Sequence, residues 1–261
     1  MPDSHTIAAS VAEGGGVLRL LLNQPKGNVL TGAMLRELGD ALRSRRNDPH
    51  LRLVIIRGAG GHFSFGASIE EHQRDRVRDM LQTFHAFVRE LAAYPVPVAA
   101  LVEGRCLGGA FELALCCHFV FAARDARFGC PEIKLGVFAP VLAAVGAHRL
   151  PGALAERLLL TGDEIDAAIA ERAGLLTAIL DGPDPEAALM DWYRVRLAPL
   201  SAFALRQATA AFRDHSGFMR ALHGDLQAIE RQYLDQVVAS RDGNEGIEAF
   251  LARRSPRWED A

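Results

Sequence analysis

The sequence predicts an α/β protein with a layered core and a mostly helical C-terminal part. Short apolar runs of strand length alternate with helical patterns over the first 150 residues, and glycine-rich turns separate them. Beyond Leu150 the pattern becomes helical, apart from a strand-like run over residues 175–180. The 261 residues are 49% hydrophobic, which is enough to bury one large core.

The first elements follow from local signals. Residues 17–22 read as a strand that is entered through three glycines, and residues 23–27 form a turn. Thr31 is suited to cap a helix that runs to about Arg45, because the apolar residues of this segment fall on one face. Residues 51–56 are a β-branched strand, which the glycines of 58–61 end.

The later elements continue the alternation. A helix is predicted over residues 77–93 and a strand over residues 96–102. The segment LGGAFELAL opens a helix at its glycines, and residues 118–123 return to a strand pattern. From Ala198 onward the tail carries amphipathic helical patterns such as residues 203–212. No internal sequence repeat is evident.

Composition excludes several classes of function. The net charge of −3 argues against a nucleic-acid partner, which usually requires a basic excess. No apolar run approaches the roughly 18 residues that span a bilayer, and the opening MPDSHTIAAS lacks a secretory pattern. Four cysteines cluster without CxxC spacing, which favours a reducing, cytoplasmic setting over a disulfide framework.

The segment LGGAFELAL carries the first chemical signal. N–H groups in the first turn of a helix have no intrahelical partner, so the Gly109 N–H is a candidate donor to a developing oxyanion. Glu112 follows in the same turn. The competing interpretation is that Glu112 only complements the dipole of its own helix.

A second signal lies in HFSFGASIEEH. Gly66 precedes Ala67 in a loop between strand and helix, so a free Ala67 N–H is a candidate for the second oxyanion donor. The alternative is an ordinary glycine turn. His62 and His72 flank this loop and are interpreted as solvated loop histidines or, alternatively, as pocket-lining groups.

The third signal is Glu132 in FGCPEIKLGVFAP, a carboxylate among apolar residues. Glu132 and Glu112 converge if the chain folds back between them, and two carboxylates at one site can hold and release a proton. Alone, Glu132 is a surface residue that pairs with Lys134. The run Cys116-Cys-His118 looks metal-like, but its neighbours point in different directions, so no metal site is predicted.

Together these stretches resemble the crotonase (enoyl-CoA hydratase/isomerase) superfamily. ALVEGRCLGGAFELAL resembles its signature segment, FGCPEIKLG its second acid motif, HFSFGAS its oxyanion loop, and NQPKGNVLTGAML its CoA-cradling turn. The resemblance implies a spiral of ββα units over residues 1–197 that holds an acyl-CoA site. It also implies a C-terminal helical region, residues 198–261, that assembles trimers or hexamers.

The resemblance also implies the site. The backbone donors are Ala67 and Gly109, and the catalytic acids Glu112 and Glu132 activate water and protonate carbon. Further substrate and CoA contacts are implied at Lys26, Phe65, Gly66, Ser68, Ile69, Gly108, Val137 and Phe138. No metal or other cofactor is implied, because CoA arrives as part of the substrate.

One departure refines the resemblance. The oxyanion loop often ends in Gly-Ala-Asp, whereas Ser68 stands in the last position here. SFGASIEEH together with PEIKLGVFAP is most similar to the cyclohexa-1,5-diene-1-carbonyl-CoA hydratases of anaerobic benzoyl-CoA breakdown. That similarity implies 1,4-addition of water, with the proton delivered to the γ-carbon.

Rival functions remain at this stage. Other crotonase activities are linear enoyl-CoA hydration, cyclohex-1-ene-1-carbonyl-CoA hydration and ring hydrolysis. A non-enzymatic RNA-binding or scaffolding relative is the second class, although both glutamates and the oxyanion loop speak against it.

Overall fold

A computed structural model describes residues 5–261. Residues 1–4, the first four of the N-terminal stretch MPDSHTIAAS, lie outside the described residues. The strands are β1 Ile7–Ala12, β2 Val17–Leu22, β3 Leu53–Gly58, β4 Val98–Val102, β5 Arg105–Leu107, β6 Phe119–Ala123, β7 Arg127–Gly129, β8 Glu164–Asp166 and β9 Ala178–Leu180. The longer helices are α1 Gly32–Arg45, α2 Val77–Ala92, α3 Gly109–Cys116, α4 Pro140–Arg149, α5 Gly152–Thr161, α6 Ala167–Arg172, α7 Pro185–Arg196, α8 Ala202–His215, α10 Leu226–Gln232 and α11 Arg241–Leu251; α9, Phe218–Arg220, is a single turn.

The strands form two sheets. The larger sheet has the order β1-β2-β3-β4-β6-β9, and only β1 runs antiparallel to its neighbour. Parallel neighbours require a crossover, which α1 provides between β2 and β3 and α2 provides between β3 and β4. The smaller sheet has the order β5-β7-β8 and lies where the chain leaves β4 and β6.

The chain winds as a spiral of ββα units, as the sequence resemblance implied. Complete turns are β4-β5-α3 and β6-β7-α4, each with one strand in each sheet before the helix. The earlier turns reach the second layer through single bridges, Leu30 to Ala67 and Ser64 to Cys106. The loop that carries Ala67 therefore lies alongside the segment that leads into α3.

Both faces of the large sheet are covered, which explains the nearly continuous apolar runs of β3 and β4. On one face Val54 and Ile56 pack into the cluster that includes the apolar sides of α1 to α3. On the other face Leu53 and Ile55 pack against side chains of α7 such as Tyr193. Alternate residues of one strand thus belong to two separate cores.

Most of the predicted elements are confirmed. Thr31 caps α1 by accepting a hydrogen bond from the Met34 N–H at 3.3 Å. The second predicted strand begins at Leu53 rather than at residue 51, and the N–H groups of Arg52 and Leu53 both donate to the Gly16 carbonyl. The six-residue strand β1 was missed. Strands β5, β7 and β8 were also missed, because three residues are too few to show a period of two.

The C-terminal part folds back onto the spiral. Residues 218–237 are helical throughout and contain two π-helical turns, Ala221–Asp225 and Tyr233–Val237. Helix α10 packs against α4, and α11 packs against the 3₁₀ turn Pro131–Leu135. Among the described residues, no helix has the length and apolarity to cross a membrane. The division between residues 197 and 198 stays a prediction.

Candidate active site

Two loops bring Ala67 and Gly109 side by side. A Cβ atom built on Gly109 would lie 3.4 Å from the Ala67 Cβ, and one built on Gly66 would lie 3.4 Å from the Gly109 nitrogen. The Gly109 N–H opens α3 and has no intrahelical acceptor. The Ala67 N–H has no protein acceptor within residues 5–261. Two adjacent free N–H groups of this kind can stabilise a developing oxyanion.

Gly108 leaves room for Glu132 to lie close to these donors. Its φ of +54° and ψ of −132° lie outside the regions that residues with a Cβ favour. A Cβ atom at this position would lie 2.5 Å from Glu132 Oε1. The glycine therefore lets the Glu132 carboxyl group approach the backbone immediately before Gly109.

Glu112 points from α3 toward the start of another helix. Its side chain is buried, with 4% of the residue exposed. Glu112 Oε1 accepts hydrogen bonds from the N–H groups of Val141 at 2.6 Å and Leu142 at 3.0 Å, in the first turn of α4. A helix N-terminus favours a negative charge, so α4 stabilises the carboxylate. The interpretation that Glu112 only complements its own helix dipole is therefore wrong.

Glu132 lies in the 3₁₀ turn Pro131–Leu135 and faces the same space. Its Oε2 is shielded from solvent and has no hydrogen-bond partner among the described residues. The Lys134 ammonium group instead donates to the Gly162 carbonyl at 2.7 Å. The alternative that Glu132 pairs with Lys134 at the surface is thus wrong.

The two acids have different electrostatic surroundings. Burial raises the pKa of Glu112, while the N–H groups of Leu142 and Val141 act in the opposite direction. Burial also raises the pKa of Glu132, and the nearby charge of Glu112 raises it further. Glu132 is therefore the acid that more readily holds a proton, and Glu112 the one that more readily ionises.

A small cavity joins the acids and the backbone donors. Its volume of ≈ 20 Å³ is room for about one water molecule. The lining residues are Ala67, His72, Met80, Leu81, Phe84, His85, Gly109, Glu112, Glu132, Phe138, Pro140 and Tyr233. The rings of Phe138 and Tyr233 meet edge to face at 5.2 Å. Apolar side chains and two carboxyl groups thus line the cavity together.

Sequence reasoning missed much of the rest of the lining. Met80, Leu81, Phe84 and His85 form one face of α2, but periodicity cannot distinguish a face that lines a cavity from one that packs in a core. Tyr233 comes from the distant C-terminal helix, where a π-helical turn begins. Only the folded chain brings these residues to the glutamates.

The two loop histidines have different environments. His72 lines the cavity, and its Nδ1 donates to the Ser68 carbonyl at 2.7 Å. Burial lowers the pKa of His72, so the interpretation as a solvated loop histidine is wrong for this residue. His62 accepts a hydrogen bond from the Arg105 N–H at 3.2 Å and contacts Phe65 through its ring edge.

His72 also borders a second space. A surface cleft of ≈ 1230 Å³ lies between residues 72–75 and residues 239–259 of the C-terminal region. This cleft is by far larger than the cavity, but it contains neither glutamate and neither backbone donor. The chemistry is therefore expected in the small cavity, and His72 lines both spaces.

The predicted CoA-binding turn forms an open groove of ≈ 560 Å³. Lys26 is exposed at its rim, and the Phe65 ring lies over Gly27 with 44% of the residue exposed. Asn28, which sequence reasoning missed, is buried and donates to the carbonyls of Ala59 at 2.9 Å and His62 at 3.1 Å. The Asn28 side chain therefore fastens this turn to the glycine loop.

Five predicted contact residues are not in the lining of the cavity or of the groove: Gly66, Ser68, Ile69, Gly108 and Val137. Ser68 is buried, and its hydroxyl donates to Glu70 Oε2 at 3.0 Å. Ile69 and Val137 belong to a hydrophobic cluster with Val77. Their contact with substrate stays a prediction.

The metal-like run has an ordinary explanation. Cys116 and Cys117 are buried free thiols, and His118 Nδ1 accepts a hydrogen bond from the Val98 N–H at 3.1 Å. Over residues 5–261 no group of three or more His, Cys, Asp or Glu side chains is arranged to hold a metal ion.

The fold and the site define a class of enzyme. A ββα spiral with two convergent backbone N–H groups beside two buried carboxyl groups is equipped to add water to an activated double bond. The model of the Enoyl-CoA hydratase/isomerase family matches residues 12–261, and the chain therefore belongs to this family, the crotonases. Its enzymes of the hydratase type are hydro-lyases that act on CoA thioesters.

Individual relatives agree with this placement. A Thauera aromatica protein named cyclohexa-1,5-dienecarbonyl-CoA hydratase is 42% identical over 246 residues, which are 94% of each chain. The 2,3-dehydroadipyl-CoA hydratase of Escherichia coli (strain K12) is 35% identical over 92% of this chain and 94% of its own. The crystal structure of an enoyl-CoA hydratase from Mycobacterium avium subsp. paratuberculosis K-10 superposes with a TM-score of 0.84 at 29% identity, covering 98% of this chain and 99% of the other.

Proposed function

We propose that this chain hydrates cyclohexa-1,5-diene-1-carbonyl-CoA to 6-hydroxycyclohex-1-ene-1-carbonyl-CoA, in the anaerobic degradation of aromatic compounds. The observation that carries the proposal is the convergence of both glutamates with both backbone donors at one cavity. The Thauera aromatica relative, at 42% identity, supports the choice of a cyclic acyl group. General enoyl-CoA hydration and cyclohex-1-ene-1-carbonyl-CoA hydration are the alternatives.

The thioester is proposed to bind across the two loops. CoA lies along the groove that contains Lys26 and Phe65, where the exposed ammonium group can meet a phosphate. The thioester oxygen then accepts hydrogen bonds from the N–H groups of Ala67 and Gly109. These donors are in place before the reaction, so they stabilise the negative charge that develops on this oxygen.

The two glutamates are proposed to transfer different protons during hydration. Glu112, stabilised by the N-terminus of α4, removes a proton as the water oxygen attacks the β-carbon. For a linear enoyl-CoA, protonated Glu132 then donates its proton to the adjacent α-carbon. Addition of water is redox-neutral, so the reaction requires no redox cofactor.

The cavity walls favour a flat acyl group. Phe84, Phe138 and Tyr233 present aromatic surfaces around the glutamates, and flat rings pack well against such surfaces. Space for about one water molecule is too small for any acyl group. Substrate must therefore displace side chains of this wall when it binds.

The assembly is proposed to be a homotrimer or a dimer of trimers, as the family resemblance implies. Phe203 and Phe212 of α8 support this proposal, because 71% and 70% of these residues are exposed in the single chain. Exposed aromatic residues of this kind often mark an interface between subunits. A cytoplasmic location is proposed on the cysteine pattern.

A substrate panel tests the proposed function. Purified protein is assayed with cyclohexa-1,5-diene-1-carbonyl-CoA, cyclohex-1-ene-1-carbonyl-CoA and crotonyl-CoA, with product identification by mass spectrometry. The expected result is the highest kcat/KM for the cyclic diene. A higher value for crotonyl-CoA would reassign the protein as a general hydratase. Turnover of none of the three, with retention on RNA, would favour the non-enzymatic alternative.

A further inference from the structure

The candidate cavity contains a histidine that the mechanism above does not use. His85 projects from α2 and is fully buried, with 0% of the residue exposed. Its Nδ1 lies 2.6 Å from Glu230 Oε2, in the C-terminal helix. Glu230 is not among the lining residues of the cavity, whereas His85 is.

The hydrogen bond to Glu230 fixes the state of the imidazole. A carboxylate accepts, so Nδ1 carries the proton and Nε2 presents a lone pair in the neutral ring. His85 Nε2 is buried and has no partner among the described residues. Because Glu230 occupies Nδ1, Nε2 is the ring nitrogen that remains available to a substrate in the cavity that His85 lines.

The position of the orphaned nitrogen is what distinguishes His85. His118 Nε2 is also buried without a partner among the described residues, but His118 does not line the cavity, whereas His85 does. A buried acceptor without a partner costs roughly 1–3 kcal/mol, and at the cavity a bound substrate can become that partner. The arrangement of an imidazole oriented by a carboxylate with one free nitrogen is that of a general acid or base. Burial lowers the pKa of His85, and the hydrogen bond with Glu230 acts in the opposite direction.

The proposed cyclic substrate creates a need for such a group. In a linear enoyl-CoA the attacked β-carbon and the protonated α-carbon are neighbours, so one pair of carboxyl groups can serve both. In 1,4-addition to the ring diene, the attacked β-carbon and the protonated γ-carbon lie opposite each other across the six-membered ring. A proton carrier is then required on the side of the ring away from the glutamates.

We propose that His85, oriented by Glu230, is this second proton carrier and exchanges a proton with the γ-carbon of the ring. This assignment rests on the proposed function. It makes His85 a catalytic residue for cyclic dienoyl-CoA thioesters and Glu230 a positioning residue. Tyr233, one helical turn beyond Glu230, helps to close the same wall.

The step balances in both directions. In dehydration, neutral Nε2 takes the proton from the γ-carbon, and the electrons of that C–H bond shift into the ring. The C–O bond then breaks, as a protonated glutamate gives its proton to the departing oxygen. In hydration, the imidazolium returns a proton to the γ-carbon while a glutamate removes one from the attacking water. Proton transfer from that glutamate to the imidazole, through solvent, restores the starting state.

Two variants with two substrates test the proposal. His85→Gln keeps an amide donor for Glu230 but cannot carry a proton. We expect His85→Gln to lower kcat for cyclohexa-1,5-diene-1-carbonyl-CoA by about 100-fold or more, and to lower kcat for crotonyl-CoA, whose two proton transfers are assigned to the glutamates, by a much smaller factor. Glu230→Gln, which retains a hydrogen-bond acceptor for Nδ1, should lower only the diene rate, by about 10-fold.

A deuterium-exchange experiment measures proton transfer at the γ-carbon directly. Wild-type protein with 6-hydroxycyclohex-1-ene-1-carbonyl-CoA in D₂O should incorporate deuterium at the γ-carbon, as measured by mass spectrometry or NMR. His85→Gln should lose this exchange. His223→Gln is the matched control, because His223 is exposed on the same C-terminal helical segment as Glu230 and lies outside the cavity.

The outcomes separate this proposal from the proposed function. The proposal is overturned if His85→Gln lowers kcat for both substrates by the same factor. It is also overturned if the variant leaves diene turnover and deuterium exchange intact. In either case His85 is structural and the hydratase assignment stands. If wild-type protein hydrates crotonyl-CoA but neither hydrates nor forms the cyclic diene, the proposed function itself is overturned, and this assignment with it.

Discussion

The two walls of the candidate cavity are built in different ways. On the wall that bears Glu112 and Glu132, positions are set by backbone contacts: the α4 N–H groups hold Glu112, and the missing side chain of Gly108 admits Glu132. The other wall consists of side chains from α2 and the C-terminal helix, such as Phe84 and Tyr233. Backbone contacts thus fix the two acids, whereas the second wall depends on how side chains of distant elements pack.

The largest expected effect comes from removing either acid. Glu112→Gln and Glu132→Gln should each lower kcat for crotonyl-CoA by about 10²–10⁴-fold, because each removes one of the two proton transfers of linear hydration while keeping the shape of the side chain. The glutamine carbonyl can still accept from the Val141 and Leu142 N–H groups, so the fold should survive. Steady-state kinetics with CoA-ester binding as the control checks this, and near-wild-type turnover in either variant would contradict the two-acid mechanism.

The next effect tests how closely backbone geometry controls Glu132. Gly108→Ala would place a Cβ atom 2.5 Å from Glu132 Oε1, and alanine also disfavours the φ of +54°. We expect a loss of about 100-fold in kcat without loss of the folded state. Gly152→Ala is the matched control, since a Cβ atom there meets nothing within 4 Å. Equal activity of the two variants would refute the role of Gly108.

A smaller effect is expected at His72, which lines both the site cavity and the ≈ 1230 Å³ cleft beside it. His72→Ala should join the two spaces. The ratio of kcat/KM for a long-chain enoyl-CoA to kcat/KM for the four-carbon enoyl-CoA should then rise by roughly 10-fold, because burial of one or two extra methylene groups has an effect of this size. The exposed His50→Ala serves as the control. An unchanged ratio would show that acyl length is limited elsewhere.

The smallest effect is on stability and has a defined dependence on pH. Because burial and Glu112 raise the pKa of Glu132 in the folded state, the native protein binds more protons than the unfolded chain above about pH 4.3, the usual value for glutamate. Stability is therefore lost as pH rises from there through the raised folded pKa, and it levels off above it. Glu132→Gln removes this loss and should gain about 1 kcal/mol at pH 8 relative to wild type.

Thermal unfolding at pH 5 and pH 8 measures that gain. The difference in Tm between Glu132→Gln and wild type should be larger at pH 8. Glu156→Gln, at an exposed position, is the control and should show little change between the two conditions. A difference in Tm that does not vary with pH would mean that Glu132 carries its charge in the folded state without penalty.

The sequence predicted the elements whose signals are local. The Thr31 cap, the amphipathic face of α2 and the apolar strands could be identified because each depends on residues within a few positions. Glu112, Glu132, Ala67 and Gly109 were candidates for the same reason, since each lies in a short segment of distinctive composition. The order of the strands was not readable from these segments.

The sequence by itself determined the α/β class, the family and the four groups at which chemistry is expected. Only the tertiary structure decided which side chains face them. His85, Phe84 and Tyr233 look like core residues in the sequence, because an apolar helical face has the same period whether it borders a core or a cavity. The Glu230 partner of His85 lies 145 positions further along the chain, a separation that folding alone closes.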